Sequence, residues 1–174
     1  MRRAVFLDRD GVLVSARPVG NAAHGPLTLD QFHIMPGIEE PLERLREAGY
    51  LLVLVTNQPG IARGELTWDV LQEMHRRLQA VVTLDAVYVC PHTDADACAC
   101  RKPKAGMLLQ AARELSIDLG QSVFIGDTER DFRAGESAGV TTILLDYEYN
   151  RALTEAARVR DLTESADLIL GGAS

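Results

Sequence analysis

The 174-residue chain has no apolar run near the ~20 residues that a membrane-spanning helix needs, which excludes such a span. Its start, Met1-Arg2-Arg3-Ala4-Val5-Phe6-Leu7, has a basic head. Asp8 ends the apolar stretch at once, well short of the about 7–15 residues of a signal peptide core. A cytoplasmic protein is expected, in a reducing compartment where thiols stay free or bind metal. Basic residues are in deficit, 18 Lys and Arg against 25 Asp and Glu, for a formal charge of −7. A general grip on nucleic acid relies on cations along the phosphates, so that partner is disfavoured, and an anionic substrate must be met by a few local cations. Repeats, low-complexity tracts and linkers are lacking too. With 47% hydrophobic and 25% charged residues, the composition is that of a soluble globular protein, read as one domain over residues 1–174 and as a monomer.

What is present alternates between short apolar runs and amphipathic stretches. Buried strands are expected at Ala4–Leu7, Leu51–Val55, Ala86–Val89, Ser122–Ile125 and Thr141–Leu145, with a short one at Leu168–Leu170. Helices are expected from Gly37 to Ala48, Thr67 to Val81, Ala105 to Leu115, Asp131 to Ala138 and Leu153 to Val159. Residues 14–35, with Pro18, Gly20, Gly25 and Pro26, read as a flap, and 90–104 as a polar loop. All-apolar strands separated by amphipathic helices predict an α/β fold: a Rossmann-like, doubly wound parallel sheet of five to six strands, without a large cap domain. Ligands of such sheets lie beyond the carboxyl ends of the strands. The residues there are Asp8 and Asp10, Thr56 and Asn57, Cys90 and His92, and Gly126 and Asp127.

Asp8, Asp10 and Asp127 converge on that edge from two strand ends, with Asp131 one helical turn beyond Asp127. Carboxylates so gathered repel one another unless they are protonated or share a cation, and hard oxygen ligands suit Mg²⁺. The alternative for Asp8 and Asp10 is turn hydrogen bonding before Gly11. In Val-Thr-Asn-Gln-Pro-Gly, Thr56 offers a hydroxyl donor to a phosphoryl oxygen, and Asn57 and Gln58 are candidate substrate contacts; turn formation is the competing role. Lys102 is placed to neutralise a phosphate and a nearby carboxylate, while Arg101 and Lys102 would otherwise be a solvated basic pair.

In order along the chain, Asp8-x-Asp10-Gly11, Thr56, Lys102 and Gly126-Asp127-x3-Asp131 resemble the four motifs of haloacid dehalogenase (HAD) superfamily phosphatases, from about Val5 to Leu145. Phe-Leu-Asp-Arg-Asp-Gly, Thr-Asn-Gln-Pro-Gly-Ile-Ala-Arg-Gly and Cys-Arg-Lys-Pro are similar to the branch of the heptose-bisphosphate and histidinol-phosphate phosphatases. The resemblance implies a Mg²⁺-dependent phosphomonoester hydrolase acting on a small phosphorylated metabolite, a sugar phosphate first. Asp8 would be the nucleophile, forming an aspartyl-phosphate, and Asp10 the general acid and then base. Asp8, the Asp10 carbonyl and Asp127 would hold Mg²⁺; Thr56 and Lys102 would stabilise the phosphoryl oxygens. Asp131 would orient Lys102 or a water on the metal, and Arg101 would recognise substrate. A polynucleotide 3′-phosphatase shares this chemistry, but the charge of −7 disfavours it.

All three cysteines lie in Cys90-Pro-His92-(five residues)-Cys98-Ala-Cys100. Three thiols and one imidazole in eleven residues make a full tetrahedral set for Zn²⁺, with no open position, so a structural zinc loop is expected. A zinc-organised interaction module without catalysis is the alternative. His24, His33 and His75 have no partners at ligand spacing, and His75 reads as helix surface. The flap and the short His92–Cys98 gap depart from the family pattern, which leaves the substrate open.

Overall fold

Six strands form the central sheet of the computed structural model, which describes residues 1–20 and 22–171. They are β1 (Ala4–Leu7), β4 (Leu51–Asn57), β5 (Ala86–Cys90), β6 (Val123–Gly126), β7 (Thr141–Leu145) and β8 (Ala157–Val159). Every pairing is parallel, in the order β5-β4-β1-β6-β7-β8. From β1 the chain first builds outward through β4 and β5, then crosses to build β6, β7 and β8 on the other side. The crossing puts a crevice beyond the carboxyl ends of β1, β4 and β6.

Among the described residues five helices cover both faces: α1 (Glu39–Glu47), α2 (Trp68–Gln79), α3 (Gly106–Leu115), α4 (Glu129–Ala138) and α5 (Leu162–Gly171). Side chains alternate across a strand, so β1 feeds two cores. Val5 and Leu7 pack with Leu42 and Leu45 of α1, Leu71, Met74 and Leu78 of α2, and Ala166 and Ile169 of α5. Ala4 and Phe6 pack with Met107, Leu108 and Ala111 of α3 and Ala134 of α4. β1 and β4 are buried on both faces, which is why these strands read as continuous apolar runs. Among the described residues no helix is long and apolar enough to cross a membrane.

The chain's tail departs from expectation. Residues predicted as a helix, Leu153–Val159, form a turn and then β8, which pairs Ile143 with Ala157 and Leu145 with Val159. The residues predicted as a strand, Leu168–Leu170, belong to α5. Leu162, Ser165, Ala166 and Ile169 lie on its buried face at helical spacing. Asp161 Oδ1 accepts the Glu164 N–H at 2.9 Å, the capping bond that starts a helix. A three-residue apolar run does not carry a period by itself, and the longer pattern around it decides. The flap contains a hairpin of β2 (Arg17–Val19) and β3 (Ala22–His24) and a 3₁₀ turn at Leu29–Gln31. Asn21 of the flap and residues 172–174 of the expected domain lie outside the described residues.

Candidate active site

Beyond β1 the chain turns back on itself at once. Gly11 has φ +88°, and a Cβ there would run into the Asp127 carboxylate, so the turn needs glycine both for its backbone and for room. Asp8 thereby sits opposite the end of β6, its N–H donating to Ile125 O at 3.0 Å. On the β6 side, Thr128 and Asp131 form a capping box that starts α4. Asp131 Oδ2 accepts from the Asp127 N–H, the Thr128 N–H and the Thr128 hydroxyl, so the box also fixes the Asp127 loop.

The result is a cluster of three buried carboxylates. Oxygens of Asp8, Asp127 and Asp131 lie within 4.8 Å of one another. One cation meets them: Lys102 Nζ is 2.9 Å from Asp8 Oδ1 and 2.6 Å from Asp131 Oδ1, and donates to Val55 O at 3.1 Å. Three carboxylates with one ammonium leave two negative charges. Burial, with Asp131 nearby, pushes the Asp8 carboxyl up to about 7 against the pull of Lys102. Burial and the Asp131 and Asp8 charges push Asp127 well above the usual carboxylate range. Burial opposes ionisation of Asp131 as well, but the Lys102 charge 2.6 Å from its Oδ1 and three hydrogen bonds from Thr128 and the Asp127 N–H hold it below its ordinary value. Asp127 Oδ1 is buried with no hydrogen-bond partner among the described residues. A buried carboxylate oxygen left bare, beside two uncompensated charges, is what a divalent cation would satisfy, and the all-oxygen set fits a hard one.

Asp10 stands apart from this cluster. Arg9, wholly buried, donates to its two oxygens from Nε and Nη2 at 2.9 and 3.0 Å, and Gln58 Nε2 donates to Oδ2 at 2.8 Å. His75 is not on the helix surface as expected. It is buried, its Nε2 3.4 Å from Arg9 Nη1, and burial and the Arg9 charge push its pKa down to about 4. A neutral imidazole can face the guanidinium without repelling it. Gly25 of the flap closes the other side of Asp10, where a Cβ would meet the carboxylate.

The expected phosphoryl and substrate contacts divide. Thr56 is wholly buried, its hydroxyl accepting from Gln58 Nε2 at 2.9 Å, which leaves its own O–H to donate. Asn57 is bonded to the Lys102 backbone in both directions: Nδ2 donates to Lys102 O at 3.0 Å, and Oδ1 accepts the Lys102 N–H at 3.1 Å. Asn57 and Gln58 thus bond to Lys102, Asp10 and Thr56 while also lining the cavity. That cavity, about 810 Å³, opens above Asp8, Asp10 and Lys102 under the flap.

Cys90, His92, Cys98 and Cys100 come together just ahead of Lys102, their ligand atoms all within 4.8 Å. Sulfur–sulfur separations are 3.0 to 3.6 Å, far beyond a disulfide bond. The Arg101 N–H donates to Cys98 Sγ, which helps to pull that thiol down to about 7 against burial. Arg101 Nε lies 2.9 Å from Asp94 Oδ1, and Arg130, which sequence reasoning missed, reaches the same carboxylate at 3.0 Å and also Lys102 O at 3.1 Å. Asp94 thereby draws both arginines to the cavity rim. Arg9 and Tyr149 were missed as well. Arg9 was visible only as the x of Asp-x-Asp; Tyr149, whose hydroxyl donates to Asp127 Oδ2, lies far along the chain with no motif around it.

Fold and site together define an acid-rich hydrolase of the doubly wound class. Residues 99–169 match the HAD-hydrolase-like family. The D-glycero-beta-D-manno-heptose-1,7-bisphosphate 7-phosphatase of Haemophilus ducreyi is 40% identical over 182 residues, covering 97% of this chain and 93% of the relative. That of Pasteurella multocida is 43% identical over 157 residues, 83% and 82% of the two chains. A solved structure, D,D-heptose 1,7-bisphosphate phosphatase from B. bronchiseptica complexed with magnesium and phosphate, superposes with a TM-score of 0.84 at 31% identity, covering 98% and 99%. The chain belongs to the HAD superfamily of phosphatases, in the family of these heptose-bisphosphate enzymes.

Proposed function

We propose that the chain is a D-glycero-beta-D-manno-heptose-1,7-bisphosphate 7-phosphatase acting through an aspartyl-phosphate, with Mg²⁺ at the acid cluster and Zn²⁺ in the cysteine loop. The observation that carries it is the sharing of one ammonium, Lys102, by Asp8 and Asp131 at the floor of the cavity. Asp8 attacks phosphorus in line and the ester oxygen leaves. Asp10 gives that oxygen its proton and later takes one from the water that cleaves the acyl phosphate. Arg9 and Gln58 fix the direction of the Asp10 carboxylate. Thr56 and Lys102 donate to the transferring phosphoryl oxygens, where most of the stabilisation in phosphoryl transfer arises. Arg101, with Arg130 beside it, meets the substrate at the rim.

Asp8, the Asp10 carbonyl and Asp127 would hold Mg²⁺, which when bound offsets the repulsion between the carboxylate and the phosphate ester. Asp131 serves as positioning partner of Lys102. Cys90, His92, Cys98 and Cys100 would hold Zn²⁺ and brace the loop that delivers Arg101 and Lys102. The sugar bisphosphate is favoured over a polynucleotide because the cationic groups are few and local, on a chain of net charge −7.

Phosphate release from a panel of heptose 1,7-bisphosphate, histidinol phosphate and a DNA 3′-phosphate tests the substrate. The highest kcat/KM is expected on the heptose bisphosphate; a preference for either of the others overturns that assignment. Asp8→Asn is expected to lower kcat by on the order of 10⁴-fold or more with its melting behaviour preserved, and near-normal turnover would remove Asp8 from the nucleophile's role.

A further inference from the structure

After β7 the chain makes a single 3₁₀ turn, Glu148–Asn150, that adds nothing to the cavity wall yet touches both acid-bearing loops. Tyr149 Oη donates to Asp127 Oδ2. Asn150 Nδ2 donates to Asp127 O at 2.8 Å and to Leu145 O at 2.7 Å. Tyr147 Oη donates to Gly11 O at 2.9 Å, and the two tyrosine rings stack with centroids 5.0 Å apart and planes 8° from parallel. The turn therefore ties the loop after β1 to the loop after β6, and its aromatic stack fixes where the Tyr149 hydroxyl points.

Asp127 is held asymmetrically as a consequence. Its Oδ2 is enclosed between the Tyr149 hydroxyl and the backbone at Gly11, where even a Cβ has no room. Its Oδ1 is buried and has no hydrogen-bond partner among the described residues. We propose that Tyr149 is a positioning residue of the metal site, restricting Asp127 to coordination through one oxygen and thereby favouring magnesium over calcium. The physical basis is the difference between the two ions. Magnesium takes six ligands in near-ideal octahedral geometry, while calcium takes six to eight and readily accepts both oxygens of one carboxylate. For Asp127 to bind through both oxygens, Oδ2 would have to leave Tyr149 and the space beside Gly11. Partners in this outer position alter metal affinity by about 10–100-fold when removed.

This inference rests on the acid cluster being the magnesium site. Its test is calorimetric titration of the protein, freed of magnesium but keeping the zinc of its cysteine loop, with Mg²⁺ and, separately, Ca²⁺, so that the readout is binding and not turnover. Tyr149→Phe removes one oxygen and keeps the ring stack. It is expected to weaken Mg²⁺ about 10-fold while leaving Ca²⁺ unchanged or tighter, so that the Mg²⁺-over-Ca²⁺ preference falls about 10-fold. Tyr147→Phe, which keeps the bond to Asp127, is expected to retain the preference. Equal weakening of both ions in Tyr149→Phe, no change in either, or the same loss of preference in Tyr147→Phe overturns the proposal. Absence of Mg²⁺ binding in the unsubstituted chain would instead overturn the magnesium site itself.

Discussion

Replacing Asp127 by asparagine should stabilise the magnesium-free protein while destroying the proposed magnesium site. Asp127 shares its space with Asp8 and Asp131, all within 4.8 Å, and unit charges at that separation repel by about 3–4 kcal/mol per pair at an effective dielectric near 20. Lys102 offsets part of this, so a net gain of about 3 kcal/mol is expected above pH 8. For a chain of this length, that is a rise in Tm of about 6–12 °C. The amide suits the site: its oxygen can accept from Tyr149, and its NH₂ takes the place of the buried Oδ1. The sign of the pH dependence follows from the raised pKa of Asp127. The native state holds a proton that the unfolded chain has released, so stability is present at low pH and is lost as pH rises. As the pH falls, the native state keeps that proton at a progressively smaller cost relative to the unfolded chain, so the advantage of Asp127→Asn shrinks on acidification. The assay is a thermal melt followed by circular dichroism in chelator at pH 5 and pH 8. A variant that melts at or below the unsubstituted protein at pH 8, or whose gain does not shrink on acidification, would refute the picture of three crowded acids awaiting a cation.

Two further outcomes are expected. Protein purified without chelator should carry about one zinc per chain by elemental analysis, and Cys98→Ala should lose it and lower kcat/KM as the Arg101–Lys102 loop loosens; zinc-free protein would reject the structural metal. Gly25→Ala should lower kcat/KM by roughly 10-fold with Tm nearly unchanged, because the added Cβ displaces either the flap or the Asp10 carboxylate while the hairpin it adjoins is exposed; unaltered kinetics would mean that the flap does not close on Asp10.

The middle of the fold was legible because burial on both faces writes itself into sequence as uninterrupted apolar runs. Leu51–Val55 is buried throughout, as its composition requires. β8 was not legible, for the opposite reason. It is a three-residue edge strand in which Ala157 is exposed and Arg158 turns back to Asn150 and Leu153, so neither alternation nor apolarity marks it. α5 was misread because Leu168, Ile169 and Leu170 are consecutive in sequence but only Ile169 of the three is buried. Its helical period shows once Leu162, Ser165 and Ala166 are counted with it.

In the site, the groups that stand at strand ends could be found from topology alone, since a parallel sheet with its crossing at β1 delivers the ends of β1, β4 and β6 to one crevice. The groups that act on them through burial could not. Arg9 carries a full charge and lies in a polar tetrapeptide, yet it is wholly buried because α2 lays Met74 and His75 over it. A buried guanidinium must be paired, and its partner is Asp10, the residue whose carboxylate the proposed chemistry has to aim. His75 follows from Arg9 in turn: a histidine able to stay neutral tolerates that neighbour, whereas a lysine at the same position would put a second cation into a space with one free anion. Each link depends on the one before it, and the first depends on where helix residues 65 and 66 positions away come to rest. Such couplings belong to the packed structure, and a motif reading reaches only the acids at their end.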